Sequence, residues 1–279
     1  MTKYFLTGVT GRLGRAALSN LLKDVTAEDV IVGVRDLQRA PEFEALGVTV
    51  RQADYTKPET LTTALAGVDK LLLVSGVPGG EVSRFDQHRN VIDAAKAAGV
   101  TFIVYTSLTE ADQNKTFLAE DHANTETYIA TSGLAYAIAR NNWYLENELD
   151  LIKKALAGED FSNPVGDAKI GWALNREYGE AAAKLLTAEQ PQKIYEFGGR
   201  AQTYADLAQA ISSVSGRTVK VIDQPVVLSE HPDVFEKINW QLQQDIAAGV
   251  LSYTTDDLAK VLGREPLSLT QAVQELVQR

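Results

Sequence analysis

The N-terminus of the chain combines a short apolar run with three glycines at intervals of three residues. The run from Lys3 to Leu6 precedes Gly8, Gly11 and Gly14, and apolar residues at helical spacing follow them. In a strand–turn–helix unit the first glycine permits a tight turn, the second lets a phosphate approach the backbone, and the third lets the helix pack on the strand. The helix N-terminus then offers N–H groups and a partial positive charge to a pyrophosphate. The pattern predicts a dinucleotide site, and with it a redox or sugar-modifying enzyme.

A basic residue follows the second predicted strand, Val30 to Val34. NAD-binding units usually carry an acidic residue there, which holds the ribose hydroxyls. Here Arg35 occupies that position and Asp36 comes next. A guanidinium can bind a 2′-phosphate bidentately and stays charged. The sequence therefore favours NADPH as the cofactor, while Asp36 keeps NADH possible.

Helical stretches that end in glycine alternate with apolar runs along the first half of the chain. Gly47, Gly67, Gly99 and Gly133 are each followed by an apolar residue, which is typical of a left-handed helix stop. The runs that follow are nearly continuous in apolar residues, as expected of parallel strands buried on both faces. These runs are residues 48–51, 71–74, 102–105 and 135–139. The alternation predicts a Rossmann-type, doubly wound parallel α/β sheet.

The pattern changes after Leu149. Shorter apolar runs mix with polar loops, although strand–helix segments recur at residues 177–188, 193–197, 203–215 and 219–222. We expect a dinucleotide-binding domain at residues 1–149. We expect a smaller α/β lobe at residues 150–279, which forms the substrate pocket and adds further strands and helices to the core.

The composition is that of an ordinary globular enzyme, with 45% hydrophobic and 23% charged residues. A net charge of −10 argues against nucleic acid or an anionic membrane surface as the main partner. No apolar run approaches the roughly 20 residues of a membrane span, and no signal-peptide pattern is present, so we expect a cytoplasmic protein. The absence of cysteine excludes disulfides and thiol catalysis. We expect a monomer or a homodimer.

Ligands of open α/β sheets bind beyond the carboxyl ends of the strands. The predicted strand exits are Asp54-Tyr55, Ser75-Gly76-Val77, Thr106-Ser107-Leu108 and Arg140 to Asn147. The last exit is rich in amides and aromatic rings, which can bind a carboxamide and stack on flat rings. Trp143 and Tyr144 could alternatively anchor the core of the second lobe. Asp54 and Tyr55 either border the adenine or cap the next helix.

Several of these segments together resemble the NmrA-like branch of atypical short-chain dehydrogenases/reductases, and within it the type 2 NAD(P)H:quinone oxidoreductases. The segments are Gly8 to Gly14, Arg35, Val50 to Tyr55, Gln87 to Val91, Tyr105 to Leu108 and Arg140 to Asn147. The resemblance spans nearly the whole chain. It implies cofactor contacts from Gly8, Thr10, Gly11, Arg12, Leu13, Gly14, Arg35, Ser75, Gly76, Val77, Ser107, Asn141, Asn142, Trp143 and Tyr144.

The chain lacks the Tyr-x-x-x-Lys proton relay of ordinary short-chain dehydrogenases, since none of its ten tyrosines has a lysine four residues later. Reduction of an unactivated ketone needs an acid at the carbonyl oxygen. A quinone is a better electron acceptor, and water can protonate its reduced oxygens. Direct hydride transfer, without flavin, then needs mainly proximity and orientation. We expect Trp143, Tyr144 and Asn147 to hold the quinone-like acceptor, and we assign no catalytic residue.

The three histidines, His88, His122 and His231, are dispersed. His122 and Glu126 have the i,i+4 spacing of a metal pair on a helix, but no third ligand is in register, and we expect no metal. His122 could also donate a proton in the substrate pocket. The sequence favours a surface or helix-cap role for it.

Three function classes remain compatible with the sequence. The first is an NAD(P)H-dependent quinone reductase, and the second is a regulator that binds the dinucleotide without catalysis. The third is an enzyme related to sugar-nucleotide epimerases, against which the missing Tyr-x-x-x-Lys argues.

Overall fold

The computed structural model describes residues 1–278, apart from the side chain of Val234. The strands of this part of the chain are β1 Tyr4–Leu6, β2 Val30–Val34, β3 Thr49–Gln52, β4 Lys70–Leu73, β5 Phe102–Leu108, β6 Ala135–Asn141, β7 Phe161–Asn163, β8 Ile194–Phe197 and β9 Val221–Asp223. The helices are α1 Arg12–Asp24, α2 Ala40–Glu44, α3 Pro58–Ala64, α4 Arg84–Ala98, α5 Ala119–Thr131, α6 Leu149–Ala157, α7 Asn175–Thr187, α8 Tyr204–Ser215, α9 Val234–Ala247, α10 Asp257–Leu262 and α11 Leu269–Gln278. None of the described helices is both long and apolar enough to span a bilayer.

Seven strands form one sheet in the order β3-β2-β1-β4-β5-β6-β8. The first six pair in parallel, with Phe5 opposite Ile31 on one side and Leu71 on the other. This order places the change of winding direction between β1 and β4, where doubly wound sheets bind their ligands. The predicted fold class is therefore confirmed.

The glycines that were predicted to stop helices do so. Gly47, Gly67, Gly99 and Gly133 have φ values of +81°, +73°, +80° and +89°. In this left-handed region glycine avoids the steric conflict that a side chain would bring. Each glycine turns the chain from a helical segment toward the next strand.

The structure extends two strands beyond their predicted ends. Parallel pairing of β5 with β6 continues through Ser107 opposite Arg140 and Leu108 opposite Asn141. Residues 106–108 and 140–141 are thus strand residues, and their prediction as exit loops is wrong. Their polar side chains are buried beside each other instead of following the sheet, which the expectation of an apolar strand did not allow for.

The structure divides the chain into two units that alternate along it. Unit 1 comprises residues 1–111, 120–141 and 175–195, and unit 2 comprises residues 112–119, 142–174 and 196–279. This differs from the single boundary expected at residues 149–150. Helix α7 returns to unit 1 because it packs closely on α1: a Cβ on Gly179 would lie 2.6 Å from the carbonyl oxygen of Leu13.

Unit 2 has a core of its own. The strands β7 and β9 pair in parallel, and the buried aromatic residues Phe161, Trp172 and Tyr204 pack with ring centroids 5.3–5.9 Å apart. Helices α6, α8 and α11 contribute further buried residues, including Ile152, Leu207 and Val273.

Candidate dinucleotide site

The three N-terminal glycines have different structural reasons to be glycine. Gly8 has a φ of +65°, and a Cβ there would lie 2.8 Å from Val74 Cβ. A Cβ on Gly14 would lie 2.3 Å from the carbonyl oxygen of Gly8. Gly11 has an ordinary φ of −91°, and a Cβ there would meet only the Gly8 oxygen, at 3.4 Å. The protein itself therefore needs glycine at positions 8 and 14, while position 11 borders open space.

The first turn of α1 is suited to an anion. Gly11 is the N-cap residue and supplies no side-chain hydrogen bond to the turn, which also carries no acidic residue. The first N–H groups of a helix have no partner within it, and the dipole favours negative charge there. Arg12 is exposed, whereas the Leu13 side chain is buried in the core. Leu13 and Gly14 can thus reach a ligand only through their backbone.

A cavity of about 560 Å³ lies at the carboxyl ends of β1 to β4. This volume is within the range of small-molecule and cofactor sites. Its lining comes from four strand exits, from the loop before α4 and from the first residues of α4, namely Gly8, Thr10, Gly11, Gly33, Val34, Arg35, residues 53–56, residues 74–80 and Gln87. The structure thus brings together Gly8, Thr10, Gly11, Arg35, Ser75, Gly76 and Val77 from the predicted cofactor residues.

The side chains of Arg35 and Asp36 have different surroundings. Arg35 lines the cavity, and among residues 1–278 its guanidinium has no carboxylate within ion-pair distance. The Asp36 side chain accepts the backbone N–H of Gln38 at 2.9 Å and caps a short 3-10 turn, Leu37–Arg39. Arg35 therefore contributes to the cavity lining, while the neighbouring carboxylate is used in a turn.

Asp54 and Tyr55 both line the cavity. The Asp54 carboxylate accepts the N–H and hydroxyl of Thr56 at 2.9 and 2.8 Å, and so forms the turn after β3. The N-cap residue of α3 is Lys57, so Asp54 does not cap that helix. The Tyr55 hydroxyl donates to the Val74 carbonyl at 2.9 Å, and burial raises the pKa of this phenol.

Three consecutive backbone N–H groups after β4 are held by buried side chains. The N–H of Val74 donates to Thr7 Oγ1 at 2.9 Å, and that of Ser75 donates to Thr106 Oγ1 at 2.9 Å. The N–H of Gly76 donates to His88 Nε2 at 2.8 Å. Side chains from the residue after β1, from β5 and from α4 thus fix the segment where the regular ladder of β4 ends. Sequence reasoning missed this role of Thr7, Thr106 and His88, for which only the strand-exit rule gave an indirect signal.

His88 and His122 lie in one buried polar cluster with Tyr105 and Thr125. His88 Nδ1 lies 2.9 Å from Thr125 Oγ1, and the Tyr105 hydroxyl lies 2.7 Å from His122 Nδ1. Burial and the nearby Arg84 lower the pKa of His88 to about 3. The same causes, with His88 itself, hold the pKa of His122 well below its usual range. His122 is 6% exposed, so the expected surface role is wrong.

Ser107 and Glu126 belong to a second buried cluster. The carboxylate of Glu126 binds Arg140 at 2.6 and 2.9 Å, and it accepts the Ser107 hydroxyl at 2.5 Å. Glu126 therefore neutralises a buried guanidinium. Among residues 1–278 there is no group of three His, Cys, Asp or Glu side chains arranged to hold a metal ion.

Polar side chains of the segment after β6 form hydrogen bonds within unit 2. The Asn142 amide donates to the carbonyls of Leu251 and Tyr253 at 3.1 and 2.9 Å. Trp143 packs against the core of unit 2. Its Nε1 donates to Glu148 at 3.1 Å. The core interpretation of Trp143 thus has direct structural support.

Tyr144 and Asn147 are the remaining predicted pocket residues of this segment. Tyr144 is half-buried and forms an isolated bridge with Ala173, and Asn147 is exposed on a 3-10 turn. Asn141, at the end of β6 in unit 1, is buried, and its carbonyl accepts the N–H of Thr109 at 3.0 Å.

Glu148 is the acceptor for three aromatic side chains of unit 2. Besides Trp143, it accepts from Trp172 Nε1 at 3.3 Å and from the Tyr204 hydroxyl at 2.9 Å. Burial raises the pKa of this carboxyl even though the three hydrogen bonds oppose the shift.

Comparison with known proteins agrees with this geometry. Residues 8–170 match the model of an NAD(P)H-binding family. Quinone oxidoreductase 2 of Escherichia coli is 44% identical over 216 residues, which cover 77% of this chain and 75% of that protein. An NmrA-like family domain-containing oxidoreductase of Aspergillus flavus is 26% identical over 99% of this chain and 95% of its own length.

A solved structure extends the similarity to the whole fold. The crystal structure of an NADPH-dependent quinone oxidoreductase from Escherichia coli, complexed with NADPH, matches with a TM-score of 0.90 at 37% identity. The match covers 98% of this chain and 99% of the other. The resemblance to NmrA-like oxidoreductases is confirmed, and the chain belongs to the NAD(P)H-binding family.

Proposed function

We propose that this protein is an oxidoreductase that uses NADPH to reduce quinones by direct hydride transfer. The observation that carries the proposal is the cavity at the ends of β1 to β4, bordered by Gly11 and Arg35. The similarity to a quinone oxidoreductase at 44% identity supports the choice of acceptor. The acceptor would be a small molecule in the cytoplasm, and the enzyme would act as a monomer or homodimer.

The residues at the glycine turn fit a dinucleotide. Gly8 and Gly14 are required by close contacts within the protein, whereas a Cβ on Gly11 would extend into open space next to the cavity. A glycine that the fold itself does not need is explained by a group that must approach the backbone closely. The uncapped first turn of α1 would bind the pyrophosphate through its N–H groups.

The second strand exit supports NADPH over NADH. Arg35 would bind the 2′-phosphate through a charged, bidentate contact. A carboxylate that selects NADH must face the ribose hydroxyls, and Asp36 instead caps the Leu37–Arg39 turn. At the exit of β2, the charged residue that lines the cavity is therefore basic.

When bound, NADPH supplies a hydride, and one proton from water completes the reduction of a quinone to a hydroquinone. The protein would orient the acceptor and keep it close to the donor, which is the main requirement of this reaction. We propose Tyr144 as the stacking residue for the acceptor, because Trp143 already packs against the core of unit 2. His122 is not assigned as the acid, since its Nδ1 is hydrogen-bonded to Tyr105 and its pKa is low. The scheme uses neither flavin nor metal.

The test is the oxidation of NADPH by purified protein with a benzoquinone or naphthoquinone, without added flavin. We expect quinone-dependent loss of the NADPH absorbance, no turnover of an aliphatic ketone, and a primary isotope effect with 4-deuterated NADPH. Gly11→Val is the matched control for the contribution of the site. A protein that binds NADPH tightly but oxidises it no faster than buffer would instead be a dinucleotide-binding regulator.

A further inference from the structure

His88 lies outside the glycine turn but is bonded to the wall of the cavity. Its Nε2 accepts the Gly76 N–H at 2.8 Å, and Gly76 lines the cavity between Ser75 and Val77. The side chain of His88 is fully buried. It therefore holds the cavity wall from inside the protein.

The hydrogen bonds around His88 are compatible with one tautomer of the neutral ring. Nε2 must be unprotonated because it accepts an N–H group, so the proton is on Nδ1. Nδ1 then donates to Thr125 Oγ1 at 2.9 Å, and the Thr125 hydroxyl donates to the Asp121 carbonyl at 2.7 Å. In this series of hydrogen bonds from α5 to Gly76, the donor and the acceptor of every bond are thus assigned.

The neighbouring backbone shows why this bond matters. Val74 is held by Thr7, which directly follows β1, and Ser75 is held by Thr106 of β5. Gly76 is the third residue beyond the end of β4, where the threonines no longer reach, and a histidine from α4 takes over. Gly76 is also close to Gln87, since a Cβ there would lie 3.2 Å from Gln87 Oε1. Small movements of this backbone would change the shape of the cavity.

We propose that His88 is a positioning residue, which sets the Ser75 to Val77 wall of the cavity through its hydrogen bond to Gly76. The inference rests on the proposed binding of NADPH in this cavity. His88 does not contact the reacting atoms in this proposal. It makes the cavity wall rigid before the cofactor binds, which reduces the ordering that binding requires.

Two amide variants test the two hydrogen bonds of the His88 ring separately. In His88→Gln the Oε1 atom can replace Nε2 as the acceptor for Gly76, but the donor to Thr125 is lost. In His88→Asn the Nδ2 group can replace Nδ1 as the donor to Thr125, but the acceptor for Gly76 is lost. Thr125→Val is the matched control, because it removes the closer partner of Nδ1 and leaves the Gly76 bond. The Tyr105 hydroxyl, 3.4 Å from Nδ1, is kept in this variant.

The measurements are the Kd of NADPH by calorimetry, the KM and kcat with a benzoquinone, and the melting temperature. We expect His88→Asn to raise the Kd and the KM for NADPH at least about fivefold, with a smaller change in kcat at saturation. We expect His88→Gln and Thr125→Val to keep the Kd within about twofold of wild type. A purely structural role predicts changes that follow the melting temperature in all three variants.

A direct readout on the wild type covers the case in which His88→Asn does not fold. In ¹⁵N-labelled protein, an N–H···N bond gives a scalar coupling between the Gly76 amide nitrogen and His88 Nε2. Absence of this coupling, or a protonated Nε2, overturns the proposal. Equal NADPH affinity of His88→Asn and wild type also overturns it, while leaving the proposed function intact. Failure of the wild type itself to bind NADPH overturns both, and so identifies the proposed function as the error.

Discussion

The turn after β1 and the segment after β6 both follow strands of the central sheet, but they differ in whether their polar groups have hydrogen-bond partners within the protein. In the turn, Gly11 borders open space and the first turn of α1 has no side-chain cap. In the segment, the Asn142 amide and the Trp143 indole donate to groups of unit 2. Position at a strand exit thus indicates where a ligand can bind, whereas free hydrogen-bonding groups decide which residues can bind it.

The largest effect on cofactor binding is expected at Gly11, where the comparison depends on open space. Gly11→Val should lower NADPH affinity at least about a hundredfold, or about 2.8 kcal/mol, because its side chain fills the space that a phosphate needs. The melting temperature should stay close to wild type, since φ at Gly11 is −91° and a Cβ there is tolerated. Calorimetry and circular dichroism measure the two quantities.

Gly14→Ala is the control for this prediction. Its Cβ would lie 2.3 Å from the Gly8 carbonyl oxygen, so it should destabilise the fold. If Gly11→Val retains full NADPH affinity, the dinucleotide site has been placed wrongly.

The next effect concerns Trp143 in the second region. It distinguishes a side chain that stabilises the core from one that contacts the acceptor. Trp143→Ala should lower the free energy of unfolding by about 3 kcal/mol, because it removes a large side chain that packs on the core of unit 2. Tyr144→Ala should lower quinone turnover while NADPH binding and stability change little. Denaturant unfolding and steady-state kinetics distinguish the variants. Equal loss of stability in both would assign Tyr144 to the core as well.

Features that arise from local backbone chemistry were predictable from the sequence. The left-handed stops at Gly47 and Gly99 and the glycine turn depend on residues that are neighbours in the chain. The parallel sheet was predictable in type because strand and helix patterns alternate along the sequence. The role of His88 was not predictable, because it depends on Gly76 and on Thr125, which lies 37 residues away. Asn142 shows the same limit, since the carbonyls that bind its amide are 109 and 111 residues distant.

The third effect concerns Arg35 and tests which cofactor the first region selects. Arg35→Ala should weaken NADPH binding by about 1.5–3 kcal/mol, the range for a charged hydrogen bond, and leave NADH binding nearly unchanged. The reason is that only NADPH carries the 2′-phosphate that the guanidinium would bind. Titration of both cofactors against wild type and variant measures the difference. Equal weakening of both cofactors would show that Arg35 does not select between them.

The smallest effect is a pH dependence that arises from Glu148 in the second region. Burial raises its pKa in the folded protein above the ordinary value of 4.5, so the folded state binds a proton that the unfolded state has released. The stabilisation from this proton is complete below about pH 4.5 and is lost as the pH rises through the folded pKa. The slope in that window should be at most about 1.4 kcal/mol per pH unit.

Glu148→Gln cannot titrate, and its unfolding free energy should therefore lack this slope, although its value at any one pH will also reflect the altered hydrogen bonds to Trp143, Trp172 and Tyr204. Denaturant unfolding of both proteins from pH 4.5 to 7, followed by tryptophan fluorescence, gives the two curves. Parallel curves would mean that Glu148 stays ionised in the folded state, held by its three donors rather than by a proton.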